Sequence, residues 1–136
     1  MQRPRQARRN IGETAGSFNA KCEWLARDLA ERAGLRRFLS ETHVLVLLPS
    51  AELLHTLRLR SETLRAVAPG GAESFRSWWD RETPAPGRHR GLVVLDPIDH
   101  GSRTRRWVDL EDALTMRPRY RGYADTLDAL RRDGRA

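Results

Sequence analysis

The sequence predicts a small single domain of α+β or α/β class with a buried central strand, a β-hairpin and several amphipathic helices. Three observations carry that expectation. The run His43-Val44-Leu45-Val46-Leu47-Leu48 is apolar without alternation, as in a strand covered on both faces. A second strand-sized run, Leu92 to Leu95, is followed by turn chemistry and a return at Thr104 to Val108. Apolar residues elsewhere recur at three-to-four residue spacing, the period of a helix with one buried stripe.

Residues 1–16 contain Pro4, Gly12 and Gly16 with little apolar content and read as a flexible basic N-terminal arm, leaving residues 17–136 as a single globular domain. The first helix is expected after Ser17, with Cys22, Trp24, Leu25, Leu29 and Ala33 on its apolar side. Gly34 is its C-terminal stop, after which Leu35, Phe38 and Leu39 can extend a turn or a short helical segment. The apolar run from His43 is then the central strand, punctuated by Pro49 and Ser50. Ser50 caps the next helix, and Glu52 stands in its first turn, where the helix dipole favours an acid. Leu53, Leu54, Leu57, Leu64, Val67 and Ala68 give that helix one stripe up to Pro69-Gly70-Gly71.

Ala72 to Glu82 reads as a short amphipathic helix with Phe75, Trp78 and Trp79, and Thr83 to Gly87 as a loop. Asp96 to Gly101 is the turn of the hairpin. Asp109 can cap a helix over Leu110 to Met116, and Tyr123, Leu127 and Leu130 mark one face of a last helix.

The formal net charge is +7, and it sits at the ends: residues 11–100 carry twelve basic and twelve acidic side chains. Of 25 basic residues only Lys21 is lysine, a bias that genomic composition explains as readily as phosphate recognition. The hydrophobic fraction is 39% and the mean hydropathy −0.66, which a folded centre with looser ends satisfies. Cys22 is the only cysteine, which excludes an intramolecular disulfide and a cysteine zinc cluster and makes a cytoplasmic setting the default. The basic start is followed by no apolar signal segment, and no run is long enough to span a bilayer, so no membrane association is expected.

Three constellations could carry function. Arg103, Arg105 and Arg106 flank Trp107, and Arg117, Arg119 and Arg121 interleave with Tyr120 and Tyr123. Guanidinium groups pair with phosphate and aromatic faces stack on bases, so this mixture suits nucleic acid, with Arg3, Arg5, Arg8 and Arg9 of the arm adding affinity. A soluble edge strand with Trp107 in the core explains the same residues. A non-enzymatic nucleic-acid-binding or nucleic-acid-associated protein is the leading expectation.

The second constellation is Phe75, Trp78 and Trp79. Adjacent helical positions diverge by about 100°, so both tryptophans cannot share one narrow stripe. An exposed ring there would anchor a protein partner or a homo-oligomer, whereas a wide core stripe would bury both. Third, Asp96, Asp109 and Glu111 could converge on a divalent cation with His100 as a base, as in a metal-dependent nuclease or phosphodiesterase, although each acid equally suits a turn or helix cap. No cofactor is expected: Gly70-Gly71 follows a helix and a proline, unlike a phosphate-binding loop, and no nucleophile elbow is present.

Overall fold

A computed structural model describes residues 11–96 and 107–133. It is a mixed α+β fold with a three-stranded sheet and six α-helices among the described residues. The chain divides into two compact units, Met1–Phe38 and Leu39–Ala136.

The first unit holds α1 (Ile11–Arg32). It begins ahead of the expected start after Ser17, so residues 11–16 are helical and Pro4 is the last strong breaker before it. Its buried positions are Ala15, Cys22 and Ala30, about two turns apart, while Trp24 and Leu29 are exposed. The large apolar side chains are therefore not the buried stripe that their spacing suggests. Gly34 ends the helix as expected. Its φ of +72° lets its N–H reach Glu31 O at 3.0 Å while Leu35 N–H reaches Ala30 O at 2.8 Å, satisfying two carbonyls of the last turn. Leu35 to Leu39 form no further helix and are exposed.

The second unit is built on a sheet of order β1-β2-β3, from β1 (Ser40–Leu47), β2 (Gly87–Leu95) and β3 (Trp107–Asp109). β1 runs parallel to β2, with Ser40 opposite Gly87 and Leu47 opposite Val94. β3 returns antiparallel, with Leu95 opposite Trp107 and Val93 opposite Asp109, which is the expected hairpin. The expected residues Thr104 to Arg106 of that strand lie outside the described residues.

The buried central strand is β2, not the run beginning at His43. Leu92, Val93 and Val94 are all fully buried, so both faces of β2 are covered, whereas β1 is a sheet edge with Val46 exposed. Both runs are apolar throughout, and which of them is flanked on two sides depends on the hairpin partner, a non-local fact.

The crossover from β1 to β2 carries α2 (Ala51–Leu59), α3 (Ser61–Val67), a single 3₁₀ turn (Ala72–Ser74) and α4 (Arg76–Trp79). The helix expected from Ser50 to Ala68 is broken at Arg60, whose φ of −117° and ψ of 18° leave the α region. Leu54, Leu57, Leu64 and Ala68 are still the buried positions, so the expected stripe survives the break. Removing the side chain of Leu54 or Leu92 down to alanine would cost about 2–5 kcal/mol.

The Pro69-Gly70-Gly71 segment does more than stop a helix. Gly70 donates to Arg90 O and accepts from Leu92 N–H, both at 2.9 Å, adding one residue of pairing to β2. A Cβ on Gly70 would stand 2.8 Å from Arg90 O, and one on Gly71 would strike the Asp109 carboxylate, so the backbone approach requires glycine.

After β3 come α5 (Leu110–Ala113), shorter than expected, and α6 (Tyr123–Asp133). Asp109 occupies the N-cap position of α5 but makes no capping bond to it. Between the two helices, Tyr120 O and Arg121 O accept from Ala51 N–H at 2.6 Å and Glu52 N–H at 3.2 Å, while Ser50 Oγ accepts from Leu53 N–H at 3.1 Å as expected. The first amides of α2, ordinarily open to an anion, are thereby satisfied by the chain itself. Among the described residues no helix is long and apolar enough to cross a membrane.

Candidate functional site

The aromatic residues come together, in an arrangement only partly expected. Phe75 and Trp79 are one helical turn apart, joined by the bond from Trp79 N–H to Phe75 O at 3.2 Å, so both rings lie on one side of α4. That side faces Trp107 on β3. The Phe75 and Trp107 ring centroids are 5.1 Å apart at 67°, and those of Trp79 and Trp107 are 6.0 Å apart at 74°, both edge-to-face.

Trp78 goes elsewhere. Its Nε1–H donates to Thr42 Oγ1 on β1 at 2.9 Å, which holds it across the sheet edge, half-exposed, away from its neighbour. The expected divergence of the two tryptophans is present, and neither is core: Trp79 is 71% exposed. Trp107 is the member missed in the sequence, where its arginine neighbours drew it into a phosphate-binding hairpin. Trp107 lies opposite Leu95, and the bond from Ala72 N–H to Asp109, two residues further along β3, ties this strand to the turn that leads into α4.

These three rings floor a groove of about 710 Å³. Among the described residues its rim carries the acids Glu73, Asp80, Asp109 and Asp112 and the base Arg76. Two of the acids are tied to backbone: Glu73 Oε1 accepts from Gly71 N–H at 2.8 Å and Asp109 Oδ1 from Ala72 N–H at 2.9 Å. Asp80 and Asp112 are exposed and take part in no ion pair among the described residues.

Of the arginines expected to read phosphate, Arg117, Arg119 and Arg121 lie within the described residues. Arg119 Nη1 is bound to Asp96 Oδ2 at 3.0 Å, and Tyr120 Oη–H donates to Asp96 Oδ1 at 3.1 Å, so this buried carboxylate at the end of β2 anchors the 119–120 segment. Arg117 and Arg121 are exposed and in no ion pair among the described residues. Arg3, Arg5, Arg8, Arg9, Arg103, Arg105 and Arg106 lie outside the described residues, as does His100.

The carboxylates considered for a cation are separately engaged. Asp96 serves Arg119 and Tyr120, Asp109 serves Ala72, and Glu111 forms a two-pronged pair with Arg65 at 2.5 Å and 3.2 Å. The hydrogen bond from Arg65 holds the Glu111 carboxyl below the usual carboxylate range and raises the Arg65 guanidinium in turn. Among the described residues no group of three or more His, Cys, Asp or Glu side chains is placed to hold a metal ion.

Among the described residues the groove thus presents aromatic faces beside an acidic rim. In comparisons with protein-family models, curated proteins and solved structures, no significant match to the chain is found.

Proposed function

We propose that this chain is a protein-interaction module whose contact surface is the aromatic groove of Phe75, Trp79 and Trp107. The observation that carries the reading is Trp79, 71% exposed yet fixed edge-to-face on Trp107. A contiguous exposed aromatic patch marks an interaction surface, and a ring already held in place loses little conformational freedom when a partner arrives. Tryptophan is also among the residues that dominate interface energetics. The groove volume suits a short segment of a partner chain.

Selection from a displayed random-peptide library tests the proposal. Peptides retained by the full chain and lost on Trp79→Ala, with the circular dichroism spectrum unchanged, are the expected result. Failure to retain any Trp79-dependent peptide overturns it. Solution mass across a dilution series tests the alternative occupant: a two-chain mass that Trp79→Ala reduces to one would make the partner a second copy.

A second reading keeps nucleic acid as the partner, in a cytoplasmic setting. It is favoured by the segregated +7 charge and by the exposure of Arg117 and Arg121 outside any ion pair among the described residues. Binding of mixed DNA and RNA probes that falls steeply with salt and weakens when the basic ends are neutralised supports it. Absence of binding at low salt removes it.

A further inference from the structure

We infer that the groove takes an arginine-bearing segment of a partner protein, with a guanidinium seated on the faces of Trp79 and Trp107 and paired to Asp80 and Asp112. The inference rests on the reading of the groove as an interaction surface and names the chemistry of its occupant. Charge decides between the candidate ligands. The whole chain is +7, so an acidic patch runs against its general field, and among the described residues four of the five charged rim residues are acids.

A base would stack on these rings as well as a guanidinium does, but its phosphates would face the acidic rim without compensation. A purely apolar segment would cover the rings and leave Asp80 and Asp112 desolvated without a partner. A guanidinium satisfies both requirements at once. It is planar, weakly hydrated, stacks on indole and offers several N–H donors to carboxylates, which an ammonium does less well. The near-perpendicular ring pairs, at 67° and 74°, suit it further, since an edge-to-face contact uses one ring face and leaves others open toward the groove.

The test is fluorescence anisotropy with the full chain and a short dye-labelled peptide in which arginines alternate with glycines. Two matched peptides replace arginine by citrulline, its uncharged planar counterpart, or by leucine. The arginine peptide is expected to bind against the overall positive charge of the protein, and the citrulline peptide about tenfold more weakly. Asp80→Asn combined with Asp112→Asn should abolish that difference, and Trp79→Ala should weaken both peptides. Equal binding of all three peptides, lost with Trp79→Ala, overturns this inference and leaves the interaction surface standing. Absence of arginine-peptide binding while library peptides without arginine bind through Trp79 does the same. No Trp79-dependent binding of any peptide, designed or selected, removes both. Direct binding of a dye-labelled single-stranded oligonucleotide that is lost with Trp79→Ala would overturn it in favour of nucleic acid.

Discussion

The Asp109 carboxylate accepts the amide hydrogen of Ala72 at 2.9 Å, although Asp109 stands at the N-cap position of its own helix, α5. It thus joins the end of β3 to the start of the 3₁₀ turn that precedes Phe75, and so helps fix both walls of the aromatic groove. Asp109→Ala should lower stability by about 1–2 kcal/mol, the usual cost of losing such a bond to an otherwise unpaired amide. Asp109→Asn, which keeps an accepting oxygen, should lose less. Urea unfolding of the two variants checks the order.

Tyr120→Phe removes the hydroxyl that donates to the buried Asp96. The expected loss is about 1–3 kcal/mol, because a buried carboxylate gives up a donor while its desolvation remains. Thermal and urea unfolding should agree. A change within a few tenths of a kcal/mol would show that the hydroxyl bond adds little to the anchoring of the segment.

Two backbone positions should respond in opposite directions. Arg81 follows α4 with φ +58° and closes it by bonds from Arg81 N–H to Trp78 O and from Glu82 N–H to Ser77 O, the arrangement that usually employs glycine. Arg81→Gly should stabilise by about 0.5–1 kcal/mol. Gly34→Ala, at φ +72° with open space around the new methyl, should destabilise by about 1 kcal/mol through strain alone. Equilibrium unfolding of the pair reads both signs.

The Arg65 pair holds Glu111 below the usual carboxylate value of 4.5, so the carboxyl is more acidic in the folded chain than in the unfolded one. Its contribution is therefore complete above the ordinary value and is lost as the pH falls through the lowered one. Both groups are exposed, so solvent screening keeps the effect on stability small. A side-chain NMR titration should find Glu111 titrating low, and Arg65→Gln should return it to the ordinary range.

Local chemistry and the hairpin were legible, and pairing across the crossover was not. Ser50 as a cap, Gly34 as a stop and the Leu92 strand with its antiparallel return all follow from residues close in sequence. The break at Arg60 has no such marker: no glycine, no proline and an unbroken leucine stripe. The wrong choice of central strand has the same origin, since β1 and β2 have equally apolar runs and differ in which neighbour the hairpin supplies. At the site, Phe75 and Trp79 were readable from helical spacing. Trp107 was not, because its contact with them depends on sheet register. The acidic rim likewise gathers Glu73 and Asp80 from around α4 with Asp109 and Asp112 from the end of β3 and α5, which no window of sequence places together.

The mixed sheet also sets an order of events. Every β1–β2 pair joins residues separated by the whole crossover through α4, whereas β3 reaches β2 by a much shorter closure. The entropy of closing the longer loop favours the hairpin as the earlier contact, so the hairpin is expected to be formed in the folding transition state and the β1 edge to zip on after the rate-limiting step. Substitutions in β3 should then slow folding, and those in β1 should chiefly hasten unfolding. The strand that looked most like the heart of the fold would be the last to join it.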